Sequence, residues 1–417
     1  MSDHMSRVLS RPEFIALMAA LMALNALAID VMLPALPYMG EALGIASENE
    51  RQFVISAYML GFGIAQLGFG PLSDRFGRRA PLLIGMLVYI VAVIAAALSP
   101  NFALLLVFRF IQGMGAAGTR VIVTSIVRDM YSGRAMAEVM SLTFMVFMAI
   151  PIIAPGVGQV LLLAGPWQTI FFFMGGLATI FTIWGFLRLP ETLAPENRRP
   201  LTLGAVIDGF RIVLTNRVAF SYGLAGTFTF GALFGFISSS QQIYVDIYGL
   251  GVYFPIAFAG IAALMSVSSF TNSRIVRTMG MRRLSHGSLL AFTGVSAIWL
   301  VLALVGFIPF WLFLPLLAII MFAFGWTASN MNSLSMEPLG AVAGTASAVF
   351  GFIQTVGGAV IGSFIGQQFN GTVVPVAAGY FVMGVLALIC VLVAENGKLF
   401  GVGTEYAHTD MSHAGGH

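Results

Sequence analysis

The chain has 417 residues, 59% of them hydrophobic and only 9% charged, with a net charge of +3. Soluble domains are about half apolar and about a quarter charged, so this chain has too little charge to solvate a globular surface of its size. With a mean hydropathy of +0.94, it needs a bilayer as solvent. The slight basic excess (pI ≈ 9.2) does not point to nucleic acid, because the arginines sit between apolar runs and form no patch interleaved with aromatics. The single cysteine, Cys390, lies in an apolar stretch and can found neither a disulfide framework nor a metal cluster.

Windows of roughly 20 apolar residues recur about twelve times, near 14–37, 52–72, 80–98, 102–125, 138–163, 168–188, 218–245, 254–273, 286–306, 311–333, 344–368 and 374–394. Such runs are too long and continuous for barrel strands, and only helices or closed barrels satisfy the backbone in lipid. The expected fold is an all-α bundle of membrane helices. The first run is read as spanning, since it lacks the pattern of a cleaved leader. Arginines recur between alternate runs: Arg7 and Arg11; Arg75, Arg78 and Arg79; Arg128 and Arg134; Arg188, Arg198, Arg199, Arg211 and Arg217; Arg274, Arg277, Arg282 and Arg283. With Lys398 on the same side and only Arg51 opposite, this bias places both termini in the cytoplasm and requires an even number of spans.

Asp30 lies in the outer half of span one. At helical spacing it shares a face with Ala19, Ala23 and Ala26, small residues that admit a neighbouring helix, so this face is expected to pack inward. An ionisable group at membrane depth costs about 3 kcal/mol on insertion scales, and desolvation and nearby cations set the charge state of a buried carboxyl. Asp30 can exchange a proton or a cationic substrate, or serve in a static ion pair. Asn25, and Tyr58 and Gln66 from span two, are candidate cavity walls.

Between spans two and three runs GPLSDRFGRR, Gly70 to Arg79, four charges on a tight turn. Its arginines suit an inner-surface anchor, and Gly77 permits a reversal that a β-carbon would strain. An anchor does not explain Asp74, which suggests a pairing element. Span four carries Arg109, Gln112, Gly113, Ala116 and Arg120 on one face; eleven residues separate the two arginines, about 16 Å. Arg109 is expected at a height similar to Asp30, to bias its charge or to bind an anionic or carbonyl group, with structural pairing as the alternative. Arg120 either joins that face or snorkels toward Arg128. Span five holds Pro151, Pro155, Gly156 and Gly158, a bend in the helix or simple close packing.

The stretch 188–217 at the midpoint is the longest polar segment and reads as a cytoplasmic linker (189–217) between six-helix halves at 1–188 and 218–394, with a tail at 395–417. RTMGMRR (Arg277–Arg283) repeats the charged loop at an offset of about 203 residues, as in a transporter of two parallel halves. Span seven crowds Phe228, Phe230, Phe234, Phe236, Gln241, Gln242 and Tyr244; Trp326, Asn330 and Asn332 lie in span ten and Gln354 in span eleven. Aromatics with scattered amides suit a bulky, moderately polar ligand. His286 is expected at the inner surface. The tail histidines His408, His413 and His417 have no metal-site spacing.

The pattern G-x-L-x-D-R-x-G-R-R at Gly70, Leu72, Asp74, Arg75, Gly77, Arg78 and Arg79 resembles the signature loop of the major facilitator superfamily. RFIQG (Arg109–Gly113) is similar to the span-four motif of its twelve-span drug:proton antiporters. AIPIIAPGVGQ (Ala149–Gln159) resembles their span-five motif, with Ala154 and Gln159 in place of two glycines. DVMLPALPYM (Asp30–Met39) resembles the end of span one in the Bcr/CflA group. The resemblance implies a loop that latches the halves on the cytoplasmic side, with the acid facing a helix end of the other half and a basic residue paired to Asp129. The second copy has no acid at the matching position, so an asymmetric latch is expected.

It further implies a monomer in a bacterial inner membrane that exports small amphipathic molecules against protons, without cofactor or metal. Export or import of an endogenous metabolite on the same fold is the alternative. No HExxH, GxSxG or P-loop is present, which disfavours an intramembrane enzyme and excludes an ATP-driven pump in this chain alone. With one carboxylate in the cavity, neutral or weakly charged amphipaths such as phenicols are favoured over dications.

Overall fold

The computed structural model describes residues 9–45, 47–131, 133–198 and 203–400. Arg7, Arg199, the side chain of Arg134 and the three tail histidines lie outside the described residues. Among the described residues all regular structure is helical. The helices are α1 (Arg11–Asp30), α2 (Leu36–Ala42), α3 (Phe53–Phe76), α4 (Arg79–Ala97), α5 (Phe102–Met130), α6 (Gly133–Ala164) and α7 (Gln168–Arg188). They continue with α8 (Leu203–Thr215), α9 (Arg217–Gln241), α10 (Phe254–Met279), α11 (Met281–Val305), α12 (Phe310–Met336), α13 (Ala343–Gln367) and α14 (Val374–Ala394).

Local chemistry sets several ends. The Ser10 side chain accepts from the Glu13 amide at the start of α1, with Pro12 in the first turn where no amide donor is needed. Asn101 and Asn216 cap α5 and α9 in the same way. Pro34 and Pro37 separate α1 from α2 through a 3-10 turn at Leu33–Ala35, so the first span is bent and runs on to Ala42.

Among the described residues, eleven helical segments are long and apolar enough to cross a membrane, and α6 holds a further apolar stretch, Ala149–Ala164. The expected spans fall on these elements. Large apolar side chains point outward, among them Leu163 (77% exposed), Ile256 (70%) and Val305 (83%). Such a surface suits lipid and not water. Successive spans alternate in direction, so α1 begins and α14 ends on one face, here the near face; the opposite is the far face.

The linker is not a plain polar connection. It folds α8, whose Val213 joins Val349 and Phe350 of α13 in a small apolar cluster, while the Phe210 ring meets Phe352 at 5.7 Å. Apolar residues at helical spacing between the charges produce this face.

Within the first six spans α5 packs on α3 and α4, and α1 on α6. Glycine makes the α3–α5 contact possible: a Cβ on Gly113 would strike the Tyr58 carbonyl oxygen, and one on Gly61 that of Phe110. In the last six, α9 packs on α13 and α14, and α11 on α12 and α14. The two sets meet where α3 runs along α13 and α6 along α10.

Candidate functional site

Arg109 is fully buried. Its Nε donates to the Val54 carbonyl (3.1 Å), Nη2 to the Ala28 carbonyl (3.0 Å) and Nη1 to Gln112 Oε1 (2.7 Å). The guanidinium also lies 4.6 Å from the Tyr58 ring centre. It therefore staples α1, α3 and α5 together, using donors that Arg holds in a rigid fork. Asp30, 4% exposed at the end of α1, has no ion pair or hydrogen-bond partner among the described residues. The structure places Arg109 on the backbone two residues before Asp30 and does not join the two side chains.

One turn nearer the near face, Asn25 Nδ2 donates to Thr119 Oγ1 (2.7 Å) and Asn25 Oδ1 accepts from the Tyr58 hydroxyl (3.3 Å). Asn25 and Tyr58 thus belong to one buried polar group with Thr119, a residue that stands in no motif. Next to it, Arg120 is solvent-exposed.

In α6, Pro151 and Pro155 lie inside the helix. Gly158 packs against the Val31 carbonyl and Pro34, where span one bends, while nothing approaches Gly156 within 4 Å.

The GPLSDRFGRR turn forms a compact ionic node on the near face. Arg78 Nε donates to Asp129 Oδ2 (2.8 Å), and Nη1 donates to Asp74 Oδ1 (2.5 Å) and Ser73 Oγ (2.9 Å). Burial pulls the Arg78 pKa down, but the two carboxylates more than offset it and leave it above the usual value. Gly77 has φ 89°, open only to glycine. Glu191, just after α7, accepts from the amides of Arg78 (2.8 Å) and Arg79 (3.2 Å) and caps the start of α4. Asp74 pairs within its own half. Arg79 lies over the Phe186 ring, Arg75 lies by Phe76, and Gly70 is uncrowded.

The repeat in the second half, which lacks an acid at the matching position, builds a corresponding node with acids from elsewhere in the chain. Arg282 Nη2 donates to Glu337 Oε2 (2.9 Å) and Nε to Glu395 Oε1 (2.8 Å). The acids come from the ends of α12 and α14, out of reach of any local pattern. Gly280 takes φ 80°. The Tyr222 hydroxyl donates to Glu395 (2.7 Å) and meets His286 Nε2 (2.9 Å), and the Phe400 amide donates to His286 Nδ1 (3.0 Å). His286 is fully buried. The expected surface placement is overturned because these partners satisfy both ring nitrogens inside the bundle. Burial raises the Glu395 pKa, but hydrogen bonds from Tyr222 and Arg282 and their charge environment bring it below the usual carboxylate range.

On the far face the halves are joined by uncharged side chains. Gln52 Nε2 donates to Gln242 Oε1 (2.5 Å) and the Gly366 carbonyl (3.1 Å), and Gln242 Nε2 donates to Asn49 Oδ1 (2.9 Å). Asn49 Nδ2 reaches the carbonyls of Gln367 (3.0 Å) and Phe369 (2.8 Å). Deeper in the bundle, Gln66 of α3 reaches Thr355 of α13 (3.2 Å). The described ion pairs, by contrast, all lie within one half.

The cavity candidates of the second half divide. Tyr244 is fully buried among Phe236, Phe254, Phe310 and Phe313, and its hydroxyl is unpartnered. Gln241 is buried as well. Trp326 donates to the Ser268 carbonyl (3.0 Å) and Asn330 to Asn272 (2.7 Å), which ties α12 to α10. Phe234 fills the space over Gly358 and Gly362 of α13. Gln354 rims a small cavity with Tyr222, Gly226 and Asn332.

Comparison with known proteins agrees with this architecture. The family model of the Major Facilitator Superfamily matches residues 18–362. An uncharacterized MFS-type transporter of Bacillus subtilis is 32% identical over 376 residues, 89% of this chain and 92% of that protein. A bicyclomycin resistance protein homolog of Haemophilus influenzae is 28% identical over 380 residues, 91% of this chain and 94% of that protein. The crystal structure of a bacterial homolog of the human lysosomal transporter Spinster, inward-facing and unoccupied, superposes with a TM-score of 0.68 at 15% identity, over 93% of this chain and 96% of that one.

Proposed function

The chain belongs to the Major Facilitator Superfamily, a transporter and not an enzyme, and on that premise we propose that it is a proton-coupled exporter of small amphipathic drugs, phenicol-like or similar. It works by alternating access across the bacterial inner membrane, with the near face in the cytoplasm. The resistance-protein relative supports the drug class, and the arginine bias supports the orientation. Asp30 carries the reading: it is a buried carboxyl without a partner among the described residues, at the point where span one bends. A lone charge there is costly, so the group takes a proton from one side and surrenders it on the other as the halves rock.

Arg109 and Gln112 position α1 around Asp30, and Gly158 of α6 packs against Val31 and Pro34, just after it in span one. The Arg78 and Arg282 nodes hold the cytoplasmic ends of each half as rigid units, and the Asn49–Gln52–Gln242 amides close the far side. Being uncharged, that clasp separates without stranding ions.

The test uses purified protein in proteoliposomes with an imposed pH gradient and a panel of labelled amphipathic drugs, beside Asp30→Asn. Gradient-driven uptake into inside-out vesicles is expected for the wild type and loss to background for Asp30→Asn, with drug binding kept. Equal gradient-driven uptake by both proteins would remove Asp30 from the coupling. Absence of transport for every drug would point to a dedicated metabolite carrier.

A further inference from the structure

We propose that Arg120 is the anchoring cation of the substrate cavity and that it selects amphipaths carrying a carboxylate or a similar anionic group. This rests on the export reading for the word substrate and moves its substrate class from neutral, phenicol-like compounds to acidic amphipaths. Arg120 lies ten residues before the end of α5 at Met130, about 15 Å along the axis and further than its side chain reaches. The side chain stops short of Arg128 and the end of α5. It also does not face lipid. The outward stripe of α5 is Leu104, Val107 and Met114, all exposed. Arg120 follows Arg109, Gly113 and Ala116 at i+11, i+7 and i+4, on the buried side.

Ala116, Ala117, Val123 and Val127 around it are buried, yet Arg120 and Thr124, one turn on, are open to solvent. The path of α3 explains the opening. It meets α5 at Gly113 through Tyr58 and at Gly118 through Phe69. Those two glycines sit on different sides of α5, so α3 crosses over and leaves the Arg120 side uncovered. The uncovered side points away from the exposed apolar stripe of Leu104, Val107 and Met114.

No carboxylate lies within ion-pair distance of Arg120 among the described residues. Its sequence neighbour Thr119 is taken up with Asn25, a neutral pair. Arg78, Arg188 and Arg282 each have an acid, and Arg109 has carbonyls; Arg120 keeps its planar fork of donors for what enters the cavity. That fork matches a carboxylate through two parallel hydrogen bonds.

The test is equilibrium binding to the purified full chain in detergent, with a labelled arylalkanoate and its primary carboxamide as a matched pair. The wild type is expected to bind the carboxylate about tenfold more tightly than the amide. Arg120→Gln should lose that preference with amide binding changed less than about twofold, and Arg120→Lys should keep part of it. Equal binding of the pair by the wild type, or a preference that survives in Arg120→Gln, would overturn the proposal. So would loss of both ligands in Arg120→Gln, which marks a structural role. The assay needs no gradient, so it separates the two readings: failure of drug transport with the Arg120-dependent preference intact removes proton-coupled export and leaves the anion site standing.

Discussion

Arg78 and Arg282 open the same helix in each half and solve the same problem differently. Arg78 comes one residue and Arg282 two residues after a glycine at φ 89° or 80°, and each binds the acid at the end of the helix that follows its own, Asp129 of α5 or Glu337 just after α12. The first copy completes its arginine locally, with Ser73 and Asp74 on Nη1. Three residues before its glycine the second copy has Arg277 in place of Asp74, and Arg282 Nη1 is left buried without a partner. The acid after the last span of each half changes role to match. Glu191 caps backbone amides in the first half, whereas Glu395 takes the guanidinium in the second and brings Tyr222 with it. A motif lost at one position is thus replaced through space, and the replacement knits in more helices.

The largest expected effect separates the two arginines. Arg282→Ala removes the cation shared by two part-buried carboxylates and is expected to cost about 3 kcal/mol or more in stability. Arg78→Ala should cost about half as much, because Asp74 is 40% exposed and can turn to water. Unfolding midpoints in detergent check this, and equal losses would break the distinction.

A smaller effect is in acid. The Glu395 pKa is held below the usual range by its partners, so the stability it brings is complete above the ordinary Glu pKa of about 4.3 and is lost as pH falls through the lower folded value. Midpoints measured from pH 7 downward should fall less steeply in Glu395→Gln than in wild type. Parallel profiles would mean that folding does not lower the Glu395 pKa.

The smallest is a gain. Arg277→Asp restores the acid of the first copy beside Arg282 Nη1 and should stabilise by about 0.5–1 kcal/mol. No gain would show that the two turns are not in register.

How much could be read in advance follows from how local each feature is. The spans and the GPLSDRFGRR turn were legible because hydropathy and a tight charged turn act over a few residues; the pairing with Asp129, 51 residues away, was implied only by the family resemblance. The helix in the linker was not, since Phe210 and Val213 show their use only once α13 lies beside them. His286 looked like a surface residue because its partners, Tyr222 and the Phe400 amide, lie far away in sequence. Asn49 and Gln52 carry no motif; two halves must close before their amides meet Gln242.

The sequence by itself determined that this chain lives in a bilayer, spans it with helices and keeps its few charges at turns, because transfer of apolar surface and charge is a property of composition and spacing. It also fixed the membership in a transporter family, through residues that stand close together in the chain. Only the tertiary structure decided what each buried polar group does. Arg109 became a backbone staple, Asp30 a carboxyl without a partner and Arg120 an open cation, because a hydrogen bond is made over about 3 Å and depends on which helices cross there.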